Sequence, residues 1–411
     1  VLGDSDEAGL YDGRDMAEKQ NVIVVTINYR LNSLGFLALP SLQSADGTTG
    51  NAALQDQTMA LKWVAANIAA FGGDPSRVNI FGESAGGFSV CWHLVSRGSK
   101  GLFSSAIMES GSCDSINFFR PLTDAYSYSE DFAKGCGCMD GVCVCVCVTF
   151  LAADPESSKR LLEYSSLTGF LPALWPIMPW GPAVDGSDAG LFEFPLTALT
   201  NGDFNNVPVI FGTNNDEGSI FIPALPIIMK GGHFPPTDDD MVNALTQIWE
   251  GYNSTSTHAI ATTAMSFYPV SNYDNKEWAR ATAVLTHEFF TCGTRRSARA
   301  ITAAGGSVYM YHFDYDMHDI VYDILGDFHS SELQYVWQHA FLNIWNDDDR
   351  AFSQALGDYW TSMAYNGDPN SATVPTQWPK YSESNKENLL LKNPFSVETG
   401  YVFELCNMWD Q

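Results

Sequence analysis

The sequence has few basic residues, no long hydrophobic run and no paired C-x-x-C motifs. Its 411 residues include 21 Lys and Arg against 48 Asp and Glu, which gives a formal net charge of −27. A field of this sign repels polyanions, which argues against nucleic-acid partners and anionic membrane surfaces. No apolar run approaches the roughly 18 residues that a membrane-spanning helix needs, so we expect no stable membrane insertion.

The nine cysteines lack zinc-finger spacing. Three interpretations of the tract CGCMDGVCVCVCV stay open: a disulfide-bearing loop with spare thiols, a half-buried strand, and a metal-thiolate tract. His287 begins a match to the zinc motif H-E-x-x-H, but the second histidine is missing, so we predict no metal there. Five cysteines lie in the tract, between Cys136 and Cys147, and the isolated ones are Cys91, Cys113, Cys292 and Cys406.

Most of the chain alternates between strand-like and helix-like segments. The β-branched run NVIVVTINYR (21–30) is typical of a strand buried on both faces. The next apolar pattern is helical and ends at Gly72 and Gly73, and later strand-like segments are LFSSAIMESGS, VPVIFG and SVYMYHFDY. Helical patterns fill roughly 241–304, and a last one ends at Gly367. This order predicts one α/β domain over 1–411, with a mostly parallel central sheet and helices on both faces.

The segment VNIFGESAGGFSV (78–90) contains the pattern G-x-S-x-G around Ser84. A strand-like run precedes the serine and a helix-like run follows it, so the serine falls on a sharp turn where only small neighbours fit. Such a turn lifts a hydroxyl out of the fold as a nucleophile. The alternative is a glycine-rich turn whose serine caps the helix.

A serine nucleophile needs a histidine to take its proton and a carboxylate to hold that histidine. In this type of fold the acid and then the histidine follow the serine, each on a loop after a strand. The loop after VPVIFG offers Asp216 and Glu217, and the loop after SVYMYHF offers His318 and His329. The chain order alone leaves both choices open.

The motifs together resemble the carboxylesterase type-B family, which includes cholinesterases, carboxylesterases and fungal lipases. The resemblance implies an α/β-hydrolase that cleaves carboxylic esters through an acyl-enzyme intermediate. It implies Ser84 as nucleophile, Glu217 rather than Asp216 as acid, and His329 rather than His318 as base. The matching segments are VVTINYRLNSLGFL, GNAALQDQTMALKWVAANIAAFGGDPSRVNIFGESAGG, LFSSAIMESGS, GTNNDEGSIF, VYMYHF, FHSSELQYVW and YWTSMAYNGDPN.

The resemblance also implies where the oxyanion of the transition state would be held. One donor is the backbone N–H of Ala85, and the others come from a His-Gly-Gly-Gly loop. In the family this loop comes just before a segment like VLGDSDEAGLYDG, with which the printed sequence opens. We therefore expect the family's first strands and this loop to be missing from the printed residues.

Further site residues follow from the resemblance and, for glycosylation, from a sequence motif. The predicted disulfides are Cys292–Cys406 and Cys136–Cys147, which imply secretion or the secretory pathway. The sequon NST at Asn253 is a predicted glycosylation site. The predicted substrate-pocket residues are Glu83, Ser110, Met178 and Trp180.

We predict a broad carboxylesterase or lipase that acts on small-molecule or lipid esters without a cofactor. Glu83 matches an acidic residue that favours cationic substrates in cholinesterases, which makes a cholinesterase one alternative. The other is a binding or adhesion protein with impaired catalysis, because the family contains members that keep the fold and lose the triad.

Overall fold

The computed structural model describes residues 5, 9–114, 118–135, 180–225, 232–250, 257–318, 320–340 and 344–410. Shorter 3₁₀ segments include Ile68–Phe71 and Glu217–Ala224, and a π-helical turn spans His287–Thr291. The α-helices are α1 (Arg14–Gln20), α2 (Asn32–Phe36), α3 (Ala52–Asn67), α4 (Ala85–Val95), α5 (Leu122–Gly135), α6 (Pro195–Asn201), α7 (Asp238–Glu250), α8 (Thr257–Ser266), α9 (Glu277–Thr286), α10 (Cys292–Ala303), α11 (Ile320–Leu325), α12 (Leu333–Val336), α13 (Asp347–Asn366) and α14 (Phe403–Trp409).

A six-stranded sheet forms the centre of the described structure. Its strands follow the order β1-β2-β5-β6-β7-β8, and the first five are parallel to their neighbours, whereas β8 runs antiparallel to β7. A separate two-stranded sheet pairs β3 with β4. The strands are β1 (Asn79–Glu83), β2 (Ser105–Glu109), β3 (Arg120–Pro121), β4 (Ala183–Val184), β5 (Val209–Asn214), β6 (Val308–Phe313), β7 (Glu387–Leu391) and β8 (Ser396–Thr399).

Both faces of the central strands are buried, as the continuous apolar runs predict. In β5, Ile210 belongs to the core on one face, and its neighbours Val209 and Phe211 belong to the core on the other. The face of Val209 and Phe211 packs against α4 and α10, and the face of Ile210 packs against α13. The predicted mostly parallel sheet with helices on both faces is therefore confirmed.

Two predicted helices end at the expected glycines. The helix after NVIVVTINYR becomes α3, continues as the 3₁₀ segment Ile68–Phe71 and stops at Gly72, whose φ is +88°. Helix α13 stops at Gly367, whose φ is +66°. Glycine adopts this left-handed conformation without steric penalty, and for that reason it ends helices so often.

The prediction of a strand at NVIVVTINYR is wrong. Residues 22–30 are not a strand and form no backbone–backbone hydrogen bond with other described residues. Ile23 and Val25 remain 44% and 42% exposed. A cavity of about 700 Å³ lies between this segment and β1, and its lining includes Val24 and Phe81. A β-branched run becomes a strand only where another backbone lies close enough to pair with it.

Within the described ranges we find no helix that combines the length and the apolar character needed to cross a bilayer.

Candidate active site

Ser84 lies on the turn between β1 and α4, as the sequence predicts. Its φ of 54° and ψ of −116° are a strained combination for a residue with a side chain, and such strain is common at functional sites. The neighbouring glycines make this geometry possible. A Cβ added to Gly82 would come within 2.6 Å of the backbone of Gly86. Gly82 is therefore required by the close approach of strand and helix, whereas a Cβ added to Gly86 would meet no atom within 4 Å.

Ala85 is the first residue of α4. The N–H groups of a helix's first turn have no acceptor within the helix, so they are free to bind an anion. The amide of Ala85 directly follows Ser84 and belongs to this turn. This position is compatible with the predicted oxyanion donor.

Glu217 and His329 meet across two loops. Glu217 follows β5, His329 follows β6 after a longer connection, and Glu217 Oε2 lies 2.6 Å from His329 Nδ1. The other oxygen of Glu217 accepts hydrogen bonds from the backbone N–H of Asn214 at 2.8 Å and from Ser110 Oγ at 2.5 Å. The carboxylate is completely buried. These donors fix its orientation toward the imidazole.

The other two candidates from the sequence lie elsewhere. Asp216 accepts hydrogen bonds from Asn215 Nδ2 and from the backbone N–H of Asp327, and burial raises its pKa. His318 is exposed and pairs with Asp316 at 3.1 Å. Of the four acid–histidine combinations that the sequence left open, Glu217 with His329 is the pair that the structure brings together.

The opposite side of the imidazole faces Glu83. Glu83 Oε1 lies 3.1 Å from His329 Nε2 and accepts a hydrogen bond from Ser330 Oγ at 2.7 Å. No hydrogen bond between Ser84 and His329 is present among the described contacts. Glu83 was predicted to line the substrate pocket. The structure instead places its carboxylate directly against the predicted base.

The two carboxylates change the protonation of His329. Burial alone would lower its pKa, but the charges of Glu83 and Glu217 and the Glu217 hydrogen bond outweigh burial and raise the pKa to about 9. The pKa of Glu83 is also raised, because burial penalises its charge more than His329 and Ser330 stabilise it. At neutral pH the imidazole is therefore mostly an imidazolium between two acidic groups.

Two aromatic rings enclose His329, and no motif in the sequence predicted them. The Phe290 ring centroid lies 4.7 Å from that of the imidazole, and the Phe221 centroid lies 5.4 Å away. Phe290 belongs to the π-helical turn His287–Thr291. Such turns are rare and occur frequently at functional sites, but no sequence pattern considered above indicated one here.

Two pocket predictions differ from the structure. Ser110 is completely buried behind the acid, where it donates to Glu217 instead of facing a substrate. Trp180 is 7% exposed and packs edge-on against Tyr128 and Phe132, so its indole belongs to the core. Met178, the fourth predicted pocket residue, lies outside the described residues.

Disulfide bonds join Cys292 to Cys406 and Cys91 to Cys113. The first was predicted, whereas no motif in the sequence paired Cys91 with Cys113. Helix α4 carries Cys91, and the loop after β2 carries Cys113. The two elements pack closely enough to bring the Cα atoms of this pair within 5.4 Å.

Other predicted residues fall outside the described part of the chain. These are the cysteine tract from Cys136 to Cys147 and the sequon at Asn253. Among the described residues, no group of three or more His, Cys, Asp or Glu side chains is arranged to hold a metal ion.

The structure has a mostly parallel sheet between two helical layers, a serine on a strand–helix turn, and an acid–histidine pair on later loops. These features together define the α/β-hydrolase class. A sequence model of the carboxylesterase family matches residues 1–409. The chain belongs to the carboxylesterase family, and this membership supports hydrolysis of carboxylic esters in general.

Proposed function

We propose that the protein is a serine hydrolase of carboxylic esters, with Ser84 as nucleophile, His329 as general base and Glu217 as the acid that orients His329. The observation that carries this proposal is the 2.6 Å contact between Glu217 and His329 Nδ1. It would leave Nε2 as the nitrogen that takes the serine proton.

The reaction would proceed in two steps. Ser84 Oγ attacks the carbonyl carbon of the ester while Nε2 takes its proton, and the same proton passes to the departing alcohol. Water then attacks the acyl carbon while Nε2 takes its proton, the bond between that carbon and Ser84 Oγ breaks, the proton returns to Oγ, and the carboxylic acid leaves. The Ala85 N–H would stabilise the oxyanion in both steps.

Nε2 must first exchange its partner. In this structure Nε2 faces Glu83, so the imidazole has to lose its proton and turn its free nitrogen toward Ser84 before it acts as a base. Hydrogen bonds between catalytic groups often tighten only when substrate is present. The proposed resting state is thus an imidazolium held by Glu83, and the reactive state is a neutral imidazole facing Ser84.

Neutral esters are the proposed substrates, as for a broad carboxylesterase or lipase. Glu83 is the residue that would suggest a choline ester, but its Oε1 is already engaged with His329 and Ser330. We propose secretion, because disulfides persist in oxidising compartments. Two disulfides are compatible with this location.

The test combines a fluorophosphonate probe, which reacts only with an activated serine, and a short-chain nitrophenyl ester. We expect Ser84→Ala to abolish labelling and to lower turnover by about 10³-fold or more, because the acyl-enzyme cannot form. Ser76→Ala is the matched control, since Ser76 is exposed and bonds only to Asp74 among the described residues. A wild-type protein that resists the probe would favour the binding-protein alternative, and undiminished labelling of Ser84→Ala would exclude Ser84 as nucleophile.

A further inference from the structure

A second carboxylate lies beside Glu83 and has no part in the proposed reaction. Glu109, the last residue of β2, pairs in register with Glu83, the last residue of β1. Neighbouring parallel strands are about 4.8 Å apart, and paired residues direct their side chains to the same face. The two acidic side chains therefore leave the sheet next to each other.

The two oxygens of Glu109 have different environments. Oε1 accepts a hydrogen bond of 3.0 Å from the indole Nε1 of Trp360 on α13. Oε2 is buried and has no hydrogen-bond partner among the described residues. An ionised carboxylate has only acceptor oxygens, and a buried acceptor without a donor is costly. The cost is relieved if Oε2 carries a proton and donates it to a neighbouring acceptor.

The charges around Glu109 also favour the protonated form. Burial raises the pKa of Glu109 to about 8; the Trp360 hydrogen bond opposes this rise, and the charge of Glu83 adds to it. Glu332 and Glu217 complete the cluster of carboxylates, and burial keeps the pKa of Glu332 well above its usual value. The nearby phenol of Tyr311 is neutral, because burial raises its pKa too. Burial and the charge of Glu83 thus both favour the uncharged form of Glu109.

We propose that Glu109 is a positioning residue: it remains a neutral carboxylic acid whose Oε2–H donates toward Glu83 and holds Glu83 as the anion that faces Nε2 of His329. The proposal rests on the proposed role of His329. Glu109 touches neither substrate nor base and acts through Glu83. A neutral buried acid that serves as hydrogen-bond donor is an established device in other active sites.

Two variants separate donation from mere packing. Glu109→Gln retains an acceptor for Trp360 and an N–H donor toward Glu83, whereas Glu109→Leu has a similar size and no donor. Without the donor the Glu83 anion is less stable, the negative charge beside Nε2 is weaker, and the pKa of His329 falls. We expect the His329 midpoint to fall by about 0.5 to 1 pH unit in Glu109→Leu and to stay near wild type in Glu109→Gln.

The midpoint is measured by NMR titration of the whole protein labelled in its histidine rings, and the His329 signal is assigned with His329→Gln. Equal midpoints in wild type and Glu109→Leu would overturn the proposal. Equal shifts in both variants would also overturn it, since the charge of Glu109 rather than its donated proton would then be responsible.

A second measurement does not depend on the folding of Glu109→Leu. Infrared difference spectra at pH 7 between wild type and the conservative Glu109→Gln should contain the C=O band of a protonated carboxyl group, lost in the variant. A missing band would show that Glu109 is ionised and would contradict the proposal.

Neither the NMR titration nor the infrared spectrum requires ester turnover. The proposal for Glu109 and the proposed hydrolase activity can therefore be refuted independently of each other. If the probe does not label Ser84 but the midpoint behaves as expected, the hydrolase assignment falls and the Glu109–Glu83 pair stands. If Ser84 is labelled and the midpoint does not move, the hydrolase assignment stands and the proposal for Glu109 falls.

Discussion

The two sides of the His329 imidazole are held in different ways. At Nδ1, Glu217 is fully buried, and its other oxygen accepts one backbone and one side-chain hydrogen bond. At Nε2, Glu83 accepts one hydrogen bond from Ser330 on the same loop as His329. The Nδ1 side is thus fixed by two segments of the fold, the residue after β2 and the end of β5 with its loop, whereas the contact between Nε2 and Glu83 has to break before Nε2 can face Ser84. We infer that the first side provides orientation and the second sets protonation.

The strongest test of this comparison removes the charge on the Nδ1 side. Glu217→Gln should lower kcat by about 10³- to 10⁴-fold, because an amide no longer enforces the tautomer and orientation that direct the basic lone pair of Nε2 toward the serine. The measurement is steady-state hydrolysis of a nitrophenyl ester.

Asp216→Asn is the matched control for Glu217→Gln. Asp216 lies next to Glu217 in sequence and is also largely buried, but its hydrogen bonds lead to Asn215 and Asp327. We expect less than a tenfold change in kcat. A larger loss in Asp216→Asn than in Glu217→Gln would mean that the acid has been assigned to the wrong residue.

A smaller effect is expected for the donor behind the acid. Ser110→Ala removes one hydrogen bond to Glu217 Oε1 and leaves the Asn214 N–H in place. Hydrogen bonds to charged groups contribute about 1.5 to 3 kcal/mol, and part of this is retained by the second donor, so we expect a loss of about tenfold in kcat. A change in KM alone would instead support the original prediction that Ser110 faces the substrate.

The smallest expected effect on the rate comes from the Nε2 side, and its signature is a pH shift. Glu83→Gln removes an anion that raises the pKa of His329, so this pKa should fall from about 9 toward its ordinary value. The neutral base then appears at lower pH, and the rising limb of kcat/KM should move down by about one pH unit.

Glu83→Gln should therefore increase kcat/KM a few-fold at neutral pH for a neutral ester, provided that the imidazole reaches Ser84. A limb that stays in place, or moves to higher pH, would show that Glu83 does not control the protonation of His329. Both sides of the imidazole would then serve orientation alone.

Short sequence patterns correctly predicted the turns and helices whose conformation depends mainly on residues close together in the chain. The turn at Ser84 follows in part from Gly82, because a Cβ at this position would collide with the backbone of Gly86 where β1 meets α4. Helix α3 follows from its apolar spacing and from the glycine that ends it. The family resemblance selected Glu217 from two candidate acids and His329 from two candidate histidines.

The errors arose where a distant partner decides the outcome. NVIVVTINYR has strand propensity, but within the described residues no backbone pairs with it. Ser110 looked like a pocket residue, but β2 and β5 place it behind Glu217. Trp180 was predicted to line the pocket, but its indole packs against Tyr128 and Phe132 in the core.

The sequence alone determined the class of the fold, the serine turn and the order of acid and histidine, because each depends on residues that are neighbours in the chain. Only the tertiary structure placed Glu83 against Nε2, Glu109 beside Glu83, and Cys91 within bonding distance of Cys113. Each of these contacts joins segments that lie far apart in the sequence. Their proximity depends on strand register and on helix–sheet packing, which no local pattern records.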